Sequence, residues 1–261
     1  MKKYLLLSVL FCLISCEKEI TLSLDPMQSQ YVIEGVITNS ATTQTVRISK
    51  SVDFYDAAPY PAISGATVTV TDGGNSPVAF TETSPGTYTA ENFQGIPGHT
   101  YTLLVTINNI AYFATSTMPL VVPLDGLAYE ENSFNPPGEE TNYVVTPKFI
   151  DPADEKNFYR FDLVVNGIKD KGFFTLDDNL INGQINTFGI SSTDENNTIK
   201  SGSTVDLDLI GIDKNCYDYF YVLEQNADSQ NTPNNPNSNI SGNILGYFSA
   251  QNRQTQSVTI P

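Results

Sequence analysis

Short runs in which apolar and polar residues alternate dominate the chain from position 28 onward. "YVIEGVITN" (31–39) and "TQTVRISKS" (43–51) place apolar residues at every second position. That is the period of a strand with one face on a core and the other in water. "GATVTVTDGG" (65–74) is a third such run and closes on Asp72-Gly73-Gly74, a turn signal. "PVAFTETSPGTYTA" reads as strand, turn at Pro85-Gly86, strand, and "GHTYTLLVTINNIAYFATSTM" as a hairpin turning at Asn108-Asn109. Six or seven strands at this spacing predict an antiparallel sandwich over 28–118.

"MPLVVPLDGL" (118–127) breaks the rhythm, because Pro119 and Pro123 cannot donate ladder hydrogen bonds. A linker over 119–127 is expected there, and "NSFNPPGEETN" (132–142) reads as a loop. Beyond it "YVVTPKFID", "NFYRFDLVVNG", "GFFTLDD", "GQINTFGI" and "STVDLDLIGI" are further strand candidates, with "ILGYFSAQ" and "QSVTIP" as two closing strands. "DKNCYDYFYVLEQNAD" (213–228) instead spaces Cys216, Phe220, Leu223 and Ala227 as one helical face, with Asp213 as N-cap. "SQNTPNNPNSNISGN" (229–243) is a long Asn/Pro-rich loop. The pattern therefore predicts a mainly β chain of two β-rich domains. The second, over 128–261, is a sandwich or barrel-like unit carrying one amphipathic helix.

The first residues follow another logic. Lys2 and Lys3 precede an apolar run from Tyr4 to Ile14, too short for the ~20 residues that span a bilayer as a helix but suited to a signal peptide over 1–15. "LISC" resembles the bacterial lipoprotein box, which makes Cys16 the lipidated first mature residue, with 16–27 as its tether to the outer membrane. "Glu17-Lys18-Glu19" resembles short surface-export signals, so the expected location is the cell surface, with the periplasmic face as the alternative.

Composition narrows the chemistry. Without Lys2 and Lys3 the mature chain carries 11 basic and 29 acidic residues, a formal charge of −18. Nucleic-acid phosphates repel such a chain, so no nucleic-acid partner is expected. Of three cysteines, Cys16 is given to lipid and Cys12 to the signal, leaving Cys216 without a partner. Cys216 on an apolar helix face reads as a small buried hydrophobe. The single histidine, His99, sits in a turn with no nucleophile motif beside it. A His-rich zinc site is excluded, and without tryptophan only Tyr or Phe can stack on a sugar. No catalytic residues are assigned.

Two features remain as sites. Asp151, Asp154 and Glu155, with Asp177, Asp178 and Asn179, form oxygen-rich turns of the kind calcium takes, although neither run matches an EF-hand loop. They read equally as solvated turns. No cofactor other than a structural calcium is expected. The Asn/Pro loop, with Asn231, Asn234, Asn235, Asn237, Asn239, Tyr247 and Phe248, is the candidate interaction surface, since loops this long are often functional.

"SCEKEI", "YVIEGVITN", "VRISKSVDFYD", "ISGATVTVTD" and "TETSPGTY", followed by "NFYRFDL", "LDDNLINGQ", "YDYFYVLEQ", "NPNSNISGNILGYFSA" and "VTI", resemble the Bacteroidetes lipoprotein family catalogued as domain of unknown function 4249. The first half also resembles immunoglobulin-, transthyretin- and carboxypeptidase-regulatory-like sandwiches. The resemblance supplies no catalytic residues. It implies a non-enzymatic ligand-binding or receptor-docking accessory beside a TonB-dependent receptor. The alternatives are a carboxylate-dependent envelope hydrolase, glycosidase-like, and a purely structural surface component.

Overall fold

The computed structural model describes residues 29–52, 59–135, 138, 140–227 and 234–261. The signal peptide, the tether, Cys16 and Asn231 lie outside the described residues. Seven strands build the first half: β1 (Tyr31–Thr38), β2 (Gln44–Lys50), β3 (Thr67–Asp72), β4 (Val78–Ser84), β5 (Thr87–Ala90), β6 (Thr100–Ile107) and β7 (Ile110–Thr117). The second half supplies β8 (Gly126–Glu131), β9 (Tyr143–Lys148), β10 (Phe158–Val165), β11 (Ile168–Lys169), β12 (Phe174–Asp177) and β13 (Thr204–Gly211). The helix α1 (Lys214–Ala227) and a last strand, β14 (Leu245–Thr259), complete it. Among the described residues the chain is mainly β with one α-helix, as the alternation predicts.

The large sheet runs β11-β10-β13-β14-β1-β2-β5-β4-β3-β6-β7, with β12 also on β10, while β8 and β9 form a separate pair. Within the first half β4 changes layer: Val78–Phe80 pair with β3 and Thr81–Ser84 with β5. The sheet thereby folds over itself into a sandwich. Ile33, Ile37, Val46 and Ile48 from one layer meet Val68, Val70, Tyr101, Leu103 and Val105 from the other, all at most 1 % exposed. The β6–β7 hairpin turns where expected, with Asn108 and Asn109 at φ 49° and 64°. Two successive left-handed residues are what a type I′ hairpin requires, and Asn tolerates them.

A second core gathers Phe149, Tyr159, Phe161, Leu163, Leu207 and Leu209, with Val122 and Leu124 from the 119–125 connector. That connector is extended and held in place. Asn252 Nδ2 donates to the carbonyls of Pro119 (3.0 Å) and Leu120 (3.3 Å), Gln254 to Val122, and Gln256 to Leu124 (3.1 Å). These polar residues of "AQNRQTQ" suggest a break between two strands. They lie instead inside one 15-residue strand, because their side chains satisfy the connector's carbonyls.

β14 belongs to both halves. Leu245–Gln251 run parallel to β1, and Asn252–Thr259 run antiparallel to β13. Phe248 and Ala250 complete the first core together with Ile240 and Ile244. Residues after 239, which the pattern assigns to the second unit, thus close the first.

"GQINTFGI" is no strand. Ile185 and Ile190 each make one isolated bridge, to Ile150 and Val145. Between them fully buried Asn186 donates to the carbonyls of Pro147 (2.9 Å) and Phe188 (3.3 Å), and its Oδ1 accepts the Phe188 N–H (3.0 Å). This side-chain turn competes with the ladder. The helix matches its prediction in position and cap: Asp213 Oδ1 accepts the Cys216 N–H at 2.9 Å. Cys216 and Phe220 are buried and Leu223 packs partly buried against them, whereas Ala227 is exposed.

Candidate functional site

The two oxygen-rich turns come together. Asp151 follows β9, Asp178 follows β12, and each is 1 % exposed. Asp178 accepts the Asn157 N–H at 3.0 Å and binds the Lys156 ammonium, which also reaches Asn179 Oδ1 at 2.7 Å. Asp177 caps the short 3-10 turn Asp178–Leu180 through the Asn179 N–H at 3.1 Å. Asp154 and Glu155 are exposed. Calcium needs six to eight oxygens. Here a lysine already neutralises the inner carboxylate, and among the described residues no group of three or more His, Cys, Asp or Glu side chains is placed to hold a metal ion.

Asp151 is the unusual member. Its Oδ1 accepts the Tyr159 hydroxyl, while its buried Oδ2 has no hydrogen-bond partner among the described residues. Burial pushes its carboxyl above the ordinary range; the Tyr159 bond opposes this, and the nearby Asp178 charge adds to it. A folded value above the unfolded one means that this stability is present at acid pH and lost as pH rises through the folded value. Asp151→Asn is therefore expected to flatten that limb of the stability curve, read as urea midpoints across acid to neutral pH. An unchanged slope would show that Asp151 does not carry it. Asp151 and Asp178 are both sealed from solvent, at 1 % exposure each.

The helix is held by aromatic and charged contacts. The Arg160 guanidinium lies 4.4 Å from the Phe220 ring centroid and 4.5 Å from that of Phe173, and its Nε donates to Asp162 at 2.8 Å. Asp162, 2 % exposed, also receives Lys169 at 2.9 Å. Burial alone would raise its carboxyl; Arg160 and Lys169 outweigh that and hold it below the ordinary range.

The Asn/Pro loop candidates separate into two groups. Phe248 is fully buried in the first core, because β14 turns even-numbered positions inward there, so it is unavailable to a partner. Asn239 is structural: its side chain donates to the Phe248 carbonyl (2.7 Å) and accepts the Phe248 N–H (2.9 Å), as a neighbouring strand would. Asn234 is tied to Asn226 on the helix through 2.7 and 2.9 Å bonds. Tyr247 packs on Tyr219 and Phe220 with ring centroids 5.1 and 4.8 Å away. Asn235 and Asn237 are left exposed on the flank.

Cys216 is 1 % exposed; burial, then the Asp213 charge, pushes its thiol well up, so it is inert. His99 pairs with Asp72 at 2.9 Å, and no nucleophile is bonded to it among the described residues.

A feature that sequence reasoning missed lies where β10 and β14 end and β13 begins. Asn166, Asn196, Asn197, Thr198, Glu195 and Ser203 line an open depression of about 400 Å³. The loop after β8 adjoins it: Asn142 bridges Lys200, which also lines the depression, and the Tyr143 N–H reaches the Ile199 carbonyl at 2.8 Å. On that loop Phe134 is 89 % exposed, and Tyr129 and Tyr143 stand edge to face at 6.4 Å. No periodicity marks such a site, because its lining comes from two loops, after β10 and before β13, with a third adjoining.

No curated protein matches the chain. A family model described as Domain of unknown function (DUF4249) matches residues 17–257. With that match over nearly its whole length, and a β-rich sandwich fold with one helix, the chain belongs to the DUF4249 family.

Proposed function

We propose that the protein is a non-enzymatic surface accessory, anchored in the outer membrane through lipid on Cys16, that holds a binding tip away from the membrane beside a TonB-dependent receptor. The observation that carries this reading is the parallel pairing of the first described strand with the last. β1 begins where Tyr31 meets Lys50 and where Asn108, in the β6–β7 turn, donates to the Tyr31 hydroxyl at 3.2 Å. The expected tether, 16–27, leads into that end of the chain's first strand. β14 runs in the same direction as β1 and continues past it for eight residues, from Asn252 to Thr259. At about 3.3 Å per residue its 15 residues carry the second core roughly 50 Å from where the strand begins. The exposed Asn235 and Asn237 on the flank remain for lateral docking on a receptor.

Fluorophores on Asn109→Cys and Ser201→Cys test the orientation, since buried Cys216 does not compete for label. In membranes carrying a quencher-bearing lipid, the position-109 dye is expected to be quenched and the position-201 dye to stay bright. Equal quenching would refute the reading. Cross-linking in the same membranes, read by mass spectrometry, is expected to recover a TonB-dependent receptor through the flank; recovery of none removes the receptor from the proposal.

A further inference from the structure

We propose that the depression at the far end of β14 binds a neutral, polyhydroxylated ligand, a short glycan segment. The lining groups are half-used. Asn166 Oδ1 accepts the Thr204 N–H at 2.9 Å, which fixes the side chain and leaves its NH₂ as a free donor. Asn197 Nδ2 donates to the Val165 carbonyl at 3.2 Å, leaving its Oδ1 as a free acceptor. The Thr198 hydroxyl and the Glu195 carboxylate make no hydrogen bond or ion pair within the described residues. The depression therefore offers both free donors and free acceptors, with the Asn166 and Asn197 side chains held from behind. That is the pre-organised arrangement that limits the entropy lost on binding.

This set discriminates among ligand classes. Sugar hydroxyls each donate and accept, and so satisfy amide NH₂, amide C=O, hydroxyl and carboxylate groups at once. An anion is disfavoured: Lys200 at the rim is paired with Glu140, and Lys171 with Asp194 at 3.0 Å, which leaves Glu195 as the unpaired charge. A metal ion would find a single free carboxylate. An apolar ligand would strand the polar lining unpaired, which disfavours it. The volume, about 400 Å³, falls in the range of small-molecule sites.

The ligand class takes its setting from the presentation reading, but its test runs in solution and is independent of membrane orientation. Purified full-length protein in detergent, labelled with ¹⁵N, is titrated with neutral tetrasaccharides of the cello, xylo and malto series. Concentrations reach about 10 mM, beyond the weak end of specific affinity. The expected result is saturable amide shifts confined to residue 166 and residues 195–203 with at least one series. Thr198→Val and Glu195→Ala should each weaken that binding about tenfold while leaving the melting temperature unchanged. No shifts with any neutral series would overturn the proposal. So would shifts with a uronic-acid tetrasaccharide alone, or variants that bind as tightly as the parent.

Discussion

Gly246→Ala is expected to destabilise the whole chain by more than about 3 kcal/mol, the range reserved for lesions with a specific structural cause. Gly246 adopts φ +96° at the start of β14, opposite Ile33 of β1. A Cβ there would stand 2.0 Å from the Ile33 carbonyl oxygen and 2.8 Å from its carbonyl carbon. No rotamer change relieves a clash with backbone, so either the parallel pairing shifts or the strand leaves its register. Gly202→Ala is the internal control. It also has a positive φ, +82°, but open space around the added methyl. It should cost only the left-handed strain, about 1–2 kcal/mol. Urea unfolding of both variants gives the comparison; equal midpoints would show that β1 and β14 tolerate separation.

Asp213→Ala is expected to cost about 3 kcal/mol and to loosen the joint between the two cores. One carboxylate serves three donors. Oδ1 takes the Cys216 N–H, while Oδ2 takes the Ser116 hydroxyl at 2.6 Å and the Thr117 N–H at 3.1 Å. Ser116, 2 % exposed, in turn accepts the Ala250 N–H at 2.8 Å. The helix of one half is thus fastened to an edge strand of the other through its own N-cap. Losing a cap costs about 1 kcal/mol and the part-buried Ser116 bond to the charge about 1.5–3 kcal/mol, while the exposed Thr117 bond adds little. The local readout is the thiol: Cys216 should become reactive toward a disulfide reagent well before global unfolding. Asp213→Asn keeps one acceptor and should fall between parent and alanine. Thiol labelling of Asp213→Ala as slow as in the parent would show the joint held by other contacts.

What the sequence revealed follows from how local the information is. The Asn108-Asn109 hairpin and the Asp213-capped helix are each specified within a few residues, by turn geometry or cap chemistry. Both were legible. The continuity of β14 was not, because Asn252, Gln254 and Gln256 look like loop residues until the connector they serve, some 130 positions earlier, lies beside them. Asn186 misled in the opposite direction, since its side chain replaces the ladder that "INTFGI" appears to offer. Asp151 and Asp178 were singled out by composition, yet their meeting, and the lysine between them and any metal, required the fold. Phe248 looked available for recognition because it follows a loop; the register with β1 turns it inward. The depression near residues 195–203 left no pattern at all, since loops carry no period.

The edge of the large sheet at β7 is closed by residues far along the chain. Ser241 Oγ accepts the Phe113 N–H at 2.9 Å, the Phe113 carbonyl accepts the Ser241 N–H at 2.8 Å, and Asp213 takes the Thr117 N–H. Until those residues arrive, a chain that emerges N-terminus first carries seven strands with a bare hydrogen-bonding edge and a core lacking Ile240, Ile244, Phe248 and Ala250. The first half therefore cannot finish folding as an early, independent step. Its assembly waits on the final twenty or so residues, which makes the C-terminus the timing element of the fold and any shortened chain a template for edge-to-edge aggregation.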